Sequence, residues 1–271
     1  AADIMPVTRR GEGMGILGIS MNVGASMFPP IGSYITMKYS MDIAFYISSF
    51  IALISIGILM GLKETLENTQ KFKPSLLKIS RHEIIEPTAI PPAVVALFIY
   101  MCFGVMLTIT PDQSQYLGLD NKGLLFTGFT IFSVLSRAVA GKVSDRYGRI
   151  IVIKVAVVLV AISLVLLGLA NSPTSLLMAA GCLGFSTGVA SPAVFAWVID
   201  ISPDESRGRA MATVYIALEV GIGGGALFSA WMYGNDAANF PRAFFASAAI
   251  TLLAGIYLQF IYKEPKSTRL N

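Results

Sequence analysis

The chain has 271 residues, of which 55% are hydrophobic and 13% charged; a soluble domain carries about 25% charged residues, so an ordinary soluble fold is excluded. Its net charge of +4 is spread over separated loops rather than gathered in one stretch, which argues against nucleic acid as a partner. Cys102 and Cys182 fall inside apolar runs without metal-ligand spacing; no metal, cofactor or disulfide is expected.

A bilayer core of roughly 30 Å requires about 20 apolar residues as a helix. Eight such stretches follow one another, at 14–36, 43–62, 89–110, 123–140, 150–170, 174–198, 209–233 and 243–262. They are too long for the alternating strands of about 10 residues in a membrane β-barrel. Fifteen of the 20 Lys and Arg residues lie in the N-terminal segment, the 63–88 loop, the loops after the fourth and sixth spans and the C-terminal tail. The intervening loops hold Lys38, Lys122 and Arg242. The positive-inside rule therefore places both ends of this chain in the cytoplasm. Arg137 and Lys154 stand about one turn inside span ends on the basic side, within snorkelling reach. The 63–88 loop contains five basic residues and the breakers Pro74 and Pro87. Within it, Leu76, Leu77, Ile84 and Ile85 alternate with Lys78, Arg81, His82 and Glu83, a pattern that predicts a short amphipathic helix on the membrane surface.

An internal repeat sets the architecture. Asp3, Ile4, Pro6, Arg10 and Gly11 recur as Asp200, Ile201, Pro203, Arg207 and Gly208 at a constant offset of 197, and Gly24 maps onto Gly221. Each copy precedes a Gly-rich apolar span, as expected for parallel repeats in a two-bundle transporter. Asp200 stands 111 residues after Ala89, where the second bundle begins. Asp3 at the same depth of a first bundle predicts roughly 110 residues upstream, room for four more spans of about 20.

The stretch Gly141-Lys-Val-Ser-Asp145-Arg146-Tyr-Gly148-Arg149 strongly resembles the signature loop of the major facilitator superfamily, and the Asp-x-x-Pro-x-x-x-Arg-Gly copies resemble the loop after the fourth helix of each half. The resemblance implies an all-α integral membrane protein with the major facilitator fold, carrying helices five to twelve of twelve. Residues 1–62 are then the end of an N-terminal bundle, 63–88 a linker, 89–262 a complete six-helix bundle and 263–271 a tail. It also implies a latch of charges that breaks as the bundles rock, built from Gly141, Asp145, Arg146, Gly148, Arg149, Asp200 and Arg207. Asp145 suits the positive N-terminus of the helix starting near Arg209, and Arg146 or Arg149 suits a bidentate pair with Asp200. Gly24-Ala-Ser-Met-Phe28-Pro29-Pro30-Ile-Gly32 resembles the family's proton-coupled exporter motif, with Phe28 in place of a glycine. Plain helix packing accounts for that stretch as well.

Side chains suited to a solute or proton are few. Glu219 lies ten residues into its span, about 15 Å deep at 1.5 Å per residue, and Asn22 is its repeat partner. Tyr100, Thr108, Gln113 and Gln115 stand in or just beyond the third span, and Trp197 in the sixth. Arg137, read as shallow, is a poor ion-pair partner for Glu219. The expected function is secondary active transport of a small organic solute by alternating access, as proton-coupled export from the inner membrane by a monomer of the full-length protein. Uptake symport of a sugar or carboxylate, and a fragment that transports nothing, are the alternatives. No nucleophile–base pair or nucleotide-binding loop points to an enzyme.

Overall fold

The computed structural model describes residue 24 and residues 27–61 and 84–262. Asn22, the first copy of the repeat, His82 with most of the expected amphipathic helix, and the C-terminal tail lie outside the described residues. The protein is an all-α membrane protein. Six of its described helices are long and apolar enough to span a bilayer, and a bent helix brings the number to seven. The remaining expected span, 14–36, falls largely outside the described residues.

The chain divides into two compact units, Ala1–Lys78 with Asn121–Thr127, and Ile79–Asp120 with Gly128–Asn271. In the first, residues 27–38 are helical and α1 follows at Met41–Met60. The Ser40 side chain caps α1 by accepting the Ile43 N–H at 3.3 Å. No residue of α1 is buried. Pro29 and Pro30, not the flanking glycines, form the approached surface of the preceding helix. Asn121 Nδ2 donates to Pro30 O at 3.2 Å, and a Cβ on Gly123 would stand 2.3 Å from Pro30 N. Gly32 and Gly57 have nothing within 4 Å, and Gly24 meets only the Phe28 ring.

The second unit holds α2 (Ile90–Thr108), the short α3 (Thr110–Tyr116), most of α4 (Gly123–Tyr147), α5 (Arg149–Leu169), α6 (Pro173–Ile201), α7 (Arg207–Tyr233) and α8 (Phe240–Ile256), which ends in a π-helical turn at Tyr257–Ile261. Local chemistry sets several ends. Ser172 and Ser175 form a capping box ahead of α6, with Pro173 at its first position. Gly234 closes α7 in the left-handed region at φ 58°. Hydroxyls in the spans bond back to carbonyls of their own helix, as Ser247 does to Ala243 (2.7 Å) and Thr251 to Ser247 (2.9 Å). This satisfies polar groups where hydrocarbon cannot.

Glycines along two seams allow one helix to lie against the backbone of another. On α6, a Cβ on Gly184 would stand 2.0 Å from Phe129 O, and one on Gly188 2.4 Å from Ser133 O, both on α4. On α7, Cβ atoms on Gly221 and Gly225 would stand 2.3 Å from Leu97 O and 2.1 Å from Met101 O, both on α2. Gly223 and Gly224 have nothing within 4 Å and lie on the other side of α7. The glycine run therefore splits between a packed face and an open one. α5 packs along α6 and α8, with Ser163 and Ser186 hydroxyls 3.2 Å apart. Lys154, expected to snorkel, donates to Gln259 Oε1 at 2.8 Å.

Overpacking of this kind costs about 1–3 kcal/mol or more. Gly225→Val is expected to lower the unfolding temperature in detergent by several degrees or to prevent folding, whereas Gly224→Val leaves it near wild type. Equal melting of the two variants would contradict the seam.

Candidate functional site

Glu86, Arg149, Asp200 and Arg209 stand at helix ends that mark one end of the second unit, its basic end. α4 runs seven residues beyond its expected stop at 140 and ends at Tyr147. Gly141 is therefore helical, with nothing within 4 Å, and makes no turn. Gly148 makes it, at φ 87°, a conformation that glycine adopts without strain. Arg149 opens α5 and gathers three partners: Nε donates to Asp200 Oδ2 at 3.0 Å, and a terminal nitrogen to Ser144 Oγ at 3.1 Å and to Asp145. Arg149 thus pairs with Asp200, while Arg146 lies over the Tyr147 ring at 5.5 Å. The Asp145 side chain is 66% exposed, so this pair contributes about 1 kcal/mol at most.

Asp145 is thereby engaged by Arg149 and does not fill the expected place at the start of α7. The first turn of α7 carries no acid of its own, and Glu86 supplies the negative charge there. Only 5% exposed, its carboxylate accepts from Arg209 Nε at 2.8 Å and from a second guanidinium nitrogen. Thr88 Oγ1 donates to it at 3.2 Å, and the Glu86 N–H donates to Thr213 Oγ1 at 2.9 Å. A bidentate pair at a helix start combines charge-assisted bonds with the helix dipole. Arg207, the first residue of α7, is exposed. An acid directly ahead of Pro87 was the available signal for Glu86, but its partner lies 123 residues away.

Deeper in the unit, the seams set a register. α4 and α6 meet at pairs 55 residues apart, Phe129 with Gly184 and Ser133 with Gly188. The same offset sets Arg137 beside Ser191 and Pro192. Ser191 Oγ accepts the Tyr100 hydroxyl at 2.8 Å. Arg137 ends the first straight segment of α4, Gly123–Arg137, after which the helix bends by 46° into Val139–Tyr147. α2 and α7 meet at pairs 124 residues apart, so Tyr100 is level with Gly224. Glu219 is five residues nearer the basic end, about 7.5 Å by helix rise. It is exposed, where burial in the span would have been the simpler expectation. One turn before it, Tyr215 packs against Phe195 of α6 with ring centroids 5.3 Å apart.

Arg137, Tyr100, Ser191, Phe195, Tyr215 and Glu219 therefore come from four helices onto neighbouring levels. Among the described residues, neither Arg137 nor Glu219 has an oppositely charged group within ion-pair distance. Two other candidates lie elsewhere. Trp197 is 3% exposed and packs edge-on to Tyr262 at 5.1 Å, a core residue. Gln113 is 2% exposed in α3, where its Nε2 donates to Leu167 O at 2.8 Å.

Arg209 holds the Glu86 carboxyl below its ordinary 4.5, against the opposing effect of desolvation. A lowered folded-state pKa stabilises fully above the unfolded value and is lost as pH falls through the folded one. Glu86→Gln should thus melt below wild type at neutral pH, and the gap should close as pH falls below about 4.5. A gap independent of pH would show that the charge of Glu86 contributes nothing.

A model of the Major Facilitator Superfamily matches residues 1–121 and 93–271. "Multidrug resistance protein 2" of Bacillus subtilis is 29% identical over 174 residues, 62% of this chain and 42% of that protein. A "Multi-drug resistance efflux pump PmrA homolog" of Lactococcus lactis is 23% identical over 268 residues, 94% of this chain and 64% of that protein. The chain thus spans roughly two fifths to two thirds of the length of these relatives. The crystal structure of the human organic anion transporter MFSD10 superposes with a TM-score of 0.62 at 19% identity, covering 95% of this chain and 66% of that one, which shows a shared fold.

Proposed function

Because this chain belongs to the Major Facilitator Superfamily, we propose that the protein of which it forms part exports a small organic solute in exchange for protons, by alternating access. The relatives named for multidrug resistance and efflux support the direction. The observation that carries the coupling is Glu219, an acid without an ion-pair partner among the described residues, on the open face of a membrane helix. An acid at such a depth costs roughly 2.5–3.5 kcal/mol on insertion scales, so it is retained where it faces a cavity and does work there. Taking up a proton on one side and releasing it on the other is work that a carboxyl can do.

In this reading the basic end faces the cytoplasm, as the positive-inside rule requires. Arg149 with Asp145 and Asp200, and Arg209 with Glu86, tie the helix ends there. Glu86 directly precedes the short 3-10 turn Pro87–Ala89 that leads into α2, so a bond to α7 anchors the 63–88 linker to the bundle that must move. Both pairs would be remade in each cycle, with Arg149 rather than Asp145 as the central group.

Glu219→Gln retains size and hydrogen bonding but cannot ionise. In vesicles containing the whole protein, this variant is expected to lose solute movement driven by a pH gradient while still equilibrating solute down its own gradient. Wild-type rates with unchanged pH dependence would remove Glu219 from the coupling step.

A further inference from the structure

We propose that the face formed by α2, α4, α6 and α7 selects organic zwitterions, solutes carrying a carboxylate and an amine held apart by an apolar or aromatic body. This rests on the transport reading above and names its substrate class. Arg137 is exposed and level with Ser191 and Tyr100, at the bend of α4, and its five N–H donors have no carboxylate partner among the described residues. An unpaired guanidinium in a membrane helix is costly to retain, as is the unpaired acid of Glu219, and both are accounted for together if one ligand pairs with each.

The groups around them divide by chemistry. Tyr100 gives its proton to Ser191 Oγ, which leaves the Ser191 proton free to donate. With Arg137 this makes a donor-rich corner fitted to a planar carboxylate. Across the face, Glu219 supplies acceptors for an ammonium. Between these levels and the basic end, the Phe195–Tyr215 pair offers apolar and ring surface. A ligand amine on Glu219 competes with a proton for the same oxygens, so proton uptake would expel it, while Arg137 holds the carboxylate in either state. Exchange of solute for a proton follows without a further titrating group. A solute with one charge leaves Arg137 or Glu219 unpaired while covering it from water, and the lost charge-assisted bonds provide the discrimination.

Three matched probes separate the two ends: 4-(aminomethyl)benzoate, its methyl ester and 4-methylbenzoate. In cells expressing the whole protein and loaded with each probe, export of the zwitterion is expected to exceed that of either single-charge analogue by about tenfold, the scale of one charge-assisted hydrogen bond. Arg137→Gln should erase the preference over the ester, and Arg137→Lys should restore part of it, which a folding defect would not do. An unchanged zwitterion-to-ester ratio in Arg137→Gln, or no export of the zwitterion by wild type, overturns the inference. The proton-exchange reading fails separately, if Glu219→Gln retains the wild-type pH dependence for whichever probe is carried.

Discussion

At Gly184, Gly188, Gly221 and Gly225 the backbone of a neighbouring helix occupies the space where a side chain would ordinarily stand. In a bilayer there is no hydrophobic drive between helices, because lipid tails are as apolar as leucine, so close van der Waals contact has to hold them. Contact at this range admits one register. Two glycines spaced four apart on α6, and two on α7, each meet carbonyls spaced four apart on the partner helix. That register brings Arg137 to Ser191 and sets Tyr100 one and a half turns beyond Glu219. The site depends on these seams, although none of their glycines belongs to it.

The basic end follows a different rule. Water is close, single surface pairs contribute little, and Arg149 matters because it joins Ser144, Asp145 and Asp200 at once. Glu86 is the exception, buried at the mouth of α7 with two bonds from Arg209. The negative charge that the helix start requires is provided from the far end of the linker, which makes this contact longer in sequence and more protected than the signature loop.

The membrane spans could be read from the sequence because runs of twenty apolar residues have few other uses. Their ends were harder. Lys142, Asp145 and Arg146 suggested that the fourth span stopped at 140, yet charge does not break a helix, and helical structure continues past a 46° bend after Arg137 to Tyr147. Arg137 joins the site through its level beside Ser191 rather than through its depth. Tyr100 and Glu219 were identifiable as polar groups in apolar runs, whereas Ser191 and Phe195 became informative only through partners on other helices. Trp197 and Gln113 passed the same sequence test and are buried away from this face, since composition does not say which face of a helix a residue occupies. Cys102 is buried and Cys182 exposed for the same reason.

The central claim is that the Tyr215–Glu219 side of α7 faces water and solute rather than lipid. Thiol labelling tests it most directly, in the whole protein with Cys102 and Cys182 replaced by serine. Single cysteines at Tyr215 and Glu219 are expected to react with a charged, membrane-impermeant methanethiosulfonate reagent, and one at Trp231 is not. Reaction of all three only with a lipid-soluble maleimide would place that side of α7 against the bilayer and contradict the account.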